Sequence, residues 1–100
     1  MSATSPFEGL RALIVDDSKT IRRTAEAQLR KEGCEVFQAV DGFESLSTIV
    51  QCRPDVIFLD IMMPKLDGYQ TCSIIKTNRE FCHTAVIMLS SKDGLFDRAR

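Results

Sequence analysis

Short apolar runs alternate along the chain with stretches whose apolar positions recur every three or four residues. Residues 10–15 (LRALIV) are apolar apart from Arg11, and the run stops abruptly at Asp16 and Asp17. From Ser18 the period lengthens. Ile21, Ala25 and Leu29 fall on one helical face, with Ser18 placed as N-cap and Gly33 as the terminating glycine. Residues 35–40 read as a second strand centred on Val36 and Phe37. Asp41-Gly42 then opens a helix whose apolar face is expected to carry Phe43, Leu46, Ile49 and Val50, closed by Pro54. Residues 56–59 form a third strand running into Asp60, and residues 61–67 a loop around Pro64. Gly68 starts a third helix with Cys72 and Ile75 inward, residues 85–89 a fourth strand, and residues 94–100 a further helix.

Strands one, three and four are nearly continuous apolar runs, which predicts parallel strands covered on both faces. Right-handed crossovers then place helices on both sides of the sheet. The expected fold class is α/β, a doubly wound parallel sheet, in which strands one and three are neighbours if the order is 2-1-3-4.

In such sheets functional groups gather beyond the carboxyl ends of the strands, where the strand order reverses. Asp16 and Asp17 end strand one and Asp60 ends strand three, so a 2-1-3-4 order brings the three carboxylates together. Carboxylates in one cleft repel one another. A hard divalent cation relieves this, and Mg²⁺ suits a site with few protein carboxylates because it keeps several waters. Such an ion neutralises and orients a phosphoryl group, and a carboxylate beside it can act as nucleophile and form an acyl phosphate. Ser90 ends strand four on the same side, with a hydroxyl suited to donate to a phosphoryl oxygen. Asp and Ser also favour turns and caps, so no one of these positions is informative alone. The signal is four of them at three strand ends.

Composition narrows the alternatives. One hundred residues make one domain, and 13 basic against 14 acidic side chains argue against nucleic-acid binding through bulk charge. Cys34, Cys52, Cys72 and Cys82 show no CxxC pairing and read as reduced packing residues. No signal peptide or membrane-spanning run is visible, and a cytoplasmic location is expected. Nucleotide-binding loops of the GxxxxGK(S/T) or GxGxxG type are missing from the sequence.

Val15-Asp16-Asp17-Ser18, followed by Asp60-Ile61-Met62-Met63-Pro64-Lys65-Leu66-Asp67-Gly68, resembles the receiver domain of bacterial response regulators. Residues 88–93 (MLSSKD) resemble its fourth-strand segment. The resemblance runs from about Gly9 onward, giving a receiver domain over 9–100 and a flexible N-terminal segment over 1–8. It implies a flavodoxin-like fold with Asp60 as phosphoacceptor and Ser90 as switch hydroxyl. It also implies a Mg²⁺ site made by Asp17, Asp16 (directly or through water), Asp60 and the Met62 carbonyl. The implied partners are a sensor histidine kinase, which supplies the phosphoryl group from a phosphohistidine, and a downstream protein that reads the switched surface. The segments 16–23 and 91–100 are most similar to single-domain regulators of chemotaxis and twitching motility. Such a module assists its own phosphorylation and dephosphorylation but turns over no external substrate.

The family's fifth strand, with its Lys-Pro pair and aromatic switch residue, and its fifth helix have no counterpart in these 100 residues. Lys92, two residues past Ser90 at the start of a loop, does not replace that lysine. The chain is therefore expected to be a domain truncated after strand four, with slower phosphorylation or broken signalling. Its open strand-four edge would favour a homodimer. One alternative is a phosphorylation-independent interaction domain. Another, an aspartyl-nucleophile phosphatase, usually needs an acid two residues after the nucleophile, where Met62 stands. His83 reads as an exposed loop residue and Tyr69 as packing. Arg22 and Arg23 read either as a basic patch near a kinase docking site or as a solvated helix face.

Overall fold

The computed structural model describes residues 7–61 and 67–89. Its strands are β1 (Arg11–Val15), β2 (Glu35–Ala39), β3 (Val56–Asp60) and β4 (Ala85–Leu89), and its helices are α1 (Lys19–Lys31), α2 (Gly42–Cys52) and α3 (Gly68–Thr77). All strand pairs are parallel and the order is β2-β1-β3-β4, as expected from the sequence. The expected loop around Pro64, Met62, Ser90, Lys92 and the helix expected at 94–100 lie outside the described residues.

The helix ends follow their local chemistry. Ser18 caps α1 by accepting the Ile21 amide at 3.3 Å. At the other end Gly33, with φ of 91°, turns the chain so that its amide reaches Arg30 O and the Cys34 amide reaches Leu29 O. Asp41 caps α2, and Asp67 caps α3 in a reciprocal box with Gln70. Helix α2 ends at Cys52, two residues before Pro54, with Arg53 between them in the left-handed region at φ 48°. The Arg53 guanidinium stands 5.6 Å over the Phe81 ring and tethers α2 to the segment before β4.

Alternation along β1 builds two cores. Leu13 and Val15 point to one face and pack with Ala39, Ile49, Ile57, Leu59, Ile75 and Phe81 under α2 and α3. Ala12 and Ile14 point to the other and pack with Cys34 and Val36 beneath α1. Both faces of β1 are thereby dry.

Three expectations are corrected. The inward face of α2 is Gly42, Ser45, Ile49 and Cys52, flanked by half-buried Leu46, whereas Phe43 and Val50 are 57% and 59% exposed. A 100° turn per residue carries those two a third of a turn or more away from the Ser45–Ile49 line. Tyr69 is exposed on the outer side of α3 rather than packed. Strand β4 is not covered on both faces, since Ala85 and Ile87 are exposed. The cause lies with α1, which packs on β1 and β2 and leaves an apolar hollow of about 240 Å³ beside Ile21, Ala25, Leu29, Phe58 and Leu89. A second hollow of about 340 Å³ continues from Leu29 and Phe58 to Phe7 and Ile87.

Candidate functional site

Strand β1 pairs with β3 up to Val15 opposite Leu59, so the next residue on each strand, Asp16 and Asp60, emerges side by side. Asp17 follows at once. One carboxylate oxygen from each of Asp16, Asp17 and Asp60 lies within 4.8 Å of the other two. Asp16 and Asp60 are buried, while Asp17 is exposed at the mouth. Three oxygen donors on rigid strand ends, two sunk and one open to solvent, match the donor set of a hard divalent cation that retains water.

Asp16 and Asp60 are held in place by backbone hydrogen bonds. The Asp16 amide donates to Ala39 O at 3.2 Å, and its Oδ1 accepts the Ser18 amide at 2.8 Å. These bonds tie the end of β1 to β2 and to the start of α1. Asp60 ends β3, and the next amide, that of Ile61, donates to Leu89 O at 2.9 Å. The Gly68 amide donates to Ile61 O at 3.0 Å, so the segment following Asp60 leaves and returns at one point. The structure therefore brings Asp16, Asp17 and Asp60 together. Ser90 and Met62, the other two expected site residues, are outside the described residues.

Arg22 departs from both readings made from sequence. It is half-buried, and its Nη1 donates to Asp16 O at 2.7 Å while its Nε donates to Gln38 Oε1 at 3.0 Å. Only Arg23 of the pair is exposed. A basic residue one turn into a helix carries no sequence mark of such inward use. The thiols of Cys34 and Cys52 are pushed up, chiefly by burial, with Glu32 and Glu8 adding to the effect at Cys34. Both belong to packing rather than to the acidic site. His83 is exposed in the turn before β4, as expected. Among the described residues no helix is long and apolar enough to cross a membrane.

A parallel 2-1-3-4 sheet with three carboxylates at its switch point defines a class of phosphoacceptor domains, and comparison with known proteins agrees. Residues 12–100 match the family model for the response regulator receiver domain. The chain is 61% identical to protein PilG of Pseudomonas aeruginosa over 93 residues, which cover 93% of this chain and 69% of PilG. It superposes on the chemotaxis protein CheY4 of Vibrio cholerae with a TM-score of 0.80 at 30% identity, covering 91% of this chain and 76% of that one. The N-terminal domain of a response regulator receiver protein from Methanoculleus marisnigri gives a TM-score of 0.80 at 35% identity, covering 83% and 68%. The chain belongs to the response regulator receiver domain family.

Proposed function

We propose that this receiver takes a phosphoryl group onto Asp60 from the phosphohistidine of a sensor kinase. The observation that carries the reading is the meeting of the Asp16, Asp17 and Asp60 carboxylates within 4.8 Å at the ends of two neighbouring parallel strands. An oxygen of Asp60 attacks phosphorus as the phosphorus–nitrogen bond breaks, and the released electron pair returns to the imidazole, which takes up a proton. The product is an acyl phosphate, and water later cleaves it.

Asp16 and Asp17, with Asp60, would hold Mg²⁺, and the resemblance adds the Met62 carbonyl to the ion's ligands and the Ser90 hydroxyl beside the phosphoryl group. When bound, the ion supplies charge neutralisation and orientation for in-line transfer. Asp16, fixed by the Ser18 amide and by β2, keeps its carboxylate at the floor of the site, while Asp17 faces the side from which a phosphoryl donor arrives. Similarity to PilG and CheY4 supports a place in chemotaxis or motility control, in the cytoplasm, with a downstream regulatory protein as reader.

Intact mass after incubation with acetyl phosphate, with and without Mg²⁺, tests this directly. One phosphoryl group is expected in the presence of Mg²⁺, and none in Asp60→Asn. Normal labelling of that variant would move the acceptor elsewhere. No gain in folded wild-type protein would favour a phosphorylation-independent interaction domain.

A further inference from the structure

A chain of polar contacts leads out of the acidic site along α1 and β2. The Asp16 carbonyl accepts from Arg22 Nη1, and Arg22 Nε donates to Gln38 on β2. The Gln38 amide group donates in turn to Glu26 Oε1, and Glu26 Oε2 accepts Arg30 Nε at 2.7 Å. Arg22 and Glu26 lie one turn apart on the same face of α1 and reach Gln38 from two sides. The guanidinium is thus fixed at two of its nitrogens. Its planar fork suits this use, because the two bonds leave it in set directions.

The carbonyl that Arg22 holds belongs to the peptide joining Asp16 to Asp17, so its orientation sets the base from which both carboxylates project. The Asp16 amide and side chain bond to Ala39 and Ser18, and the Arg22 contact adds a bond at the peptide carbonyl itself. We propose that Arg22 is the positioning residue of the acidic site, and that Gln38 sets Arg22 for this task. The contact is made to a backbone carbonyl, so it acts through geometry at the Asp16–Asp17 peptide. This rests on the reading of the cluster as a cation-binding phosphoacceptor site.

The test is Mn²⁺ binding to the 100-residue chain, followed by the electron paramagnetic resonance of free Mn²⁺, together with urea unfolding in the absence of metal. Wild type is expected to bind one ion and Asp17→Asn to lose it. Arg22→Gln should raise the Kd about tenfold, as loss of a group that orients metal ligands commonly does. Arg22→Lys should recover part of the loss, since an ammonium can reach one acceptor of the two. Gln38→Leu should raise the Kd in wild type and add nothing further in the Arg22→Gln background. A merely structural arginine would lower the urea midpoint and leave the Kd of the folded protein unchanged, and that result overturns the proposal. If Arg22→Gln does not fold, Gln38→Leu decides: a raised Kd at an unaltered urea midpoint supports the proposal and an unaltered Kd overturns it. Failure of wild type to bind Mn²⁺ is a different result. It removes the cation-site reading, and the role of Arg22 with it.

Discussion

Gly68 stands so close to Asp60 that a β-carbon on it would lie 2.6 Å from the Asp60 carbonyl oxygen and 2.7 Å from Ile61 Cα. Both contacts are with backbone, which cannot swing aside as a flexible side chain does. The glycine is required for space here, and its hydrogen bond to Ile61 O closes the neck of the segment that follows Asp60.

Gly68→Ala should therefore push the start of α3 away from the end of β3. We expect a loss of about 1–3 kcal/mol in urea unfolding, the usual cost of overfilling a packed contact. Phosphoryl labelling of Asp60 should fall as well. Unchanged stability and labelling would mean that the helix start shifts without consequence for the site.

Binding of Mg²⁺ to the folded state alone should raise the urea midpoint of wild type in proportion to the logarithm of ion concentration. Asp17→Ala removes the one exposed carboxylate of the cluster, and its midpoint should not respond. An equal response in both proteins would locate the stabilising ion elsewhere.

The reduced protein should lose stability in alkali. Burial raises the pKa of Cys34 and Cys52 in the folded state, so both thiols stay protonated there after their unfolded counterparts ionise. Their contribution is complete below the ordinary thiol value of about 8.5 and is lost as pH climbs from there through the folded values. Urea midpoints measured from pH 7 upward should decline less steeply in the Cys34→Ala, Cys52→Ala double variant. Parallel curves would show that other groups account for the decline.

Among the described residues β4 pairs only with β3, and Ile87 is 43% exposed beside the apolar hollows next to α1. The chain is expected to self-associate through this edge, with sedimentation velocity showing a dimer that grows with concentration. Ile87→Lys should weaken it by placing a charge on the edge strand. A wild-type monomer at every concentration would exclude this contact.

The placing of Asp16, Asp17 and Asp60 at strand ends was legible because apolar runs stop at acidic residues, whereas the 2-1-3-4 order that makes them converge came with the resemblance carried by residues 15–18 and 60–68. Each strand contributes its end position whatever the details of packing. The buried face of α2 was not legible, because Phe43 and Val50 are as apolar as Ile49 and hydropathy alone cannot tell which side meets the sheet. Small residues settled it: Gly42 and Ser45 let the helix lie close to the core. Arg22 was missed for a related reason. Its partners are a backbone carbonyl and Gln38, which is 16 positions away, and neither leaves a trace in local patterning.

Asp16 and Asp17 belong to the half of the sheet built by β1, β2 and α1, and Asp60 to the half built by β3, β4 and α3. The two halves meet along the β1–β3 ladder and through the core beneath α2 and α3, and the carboxylates sit where the ladder runs out. Whatever occupies the cluster is consequently a rivet through both plates. A sliding of one plate against the other would change the spacing of the cluster's three oxygen atoms, and an ion or group held by all three would resist it.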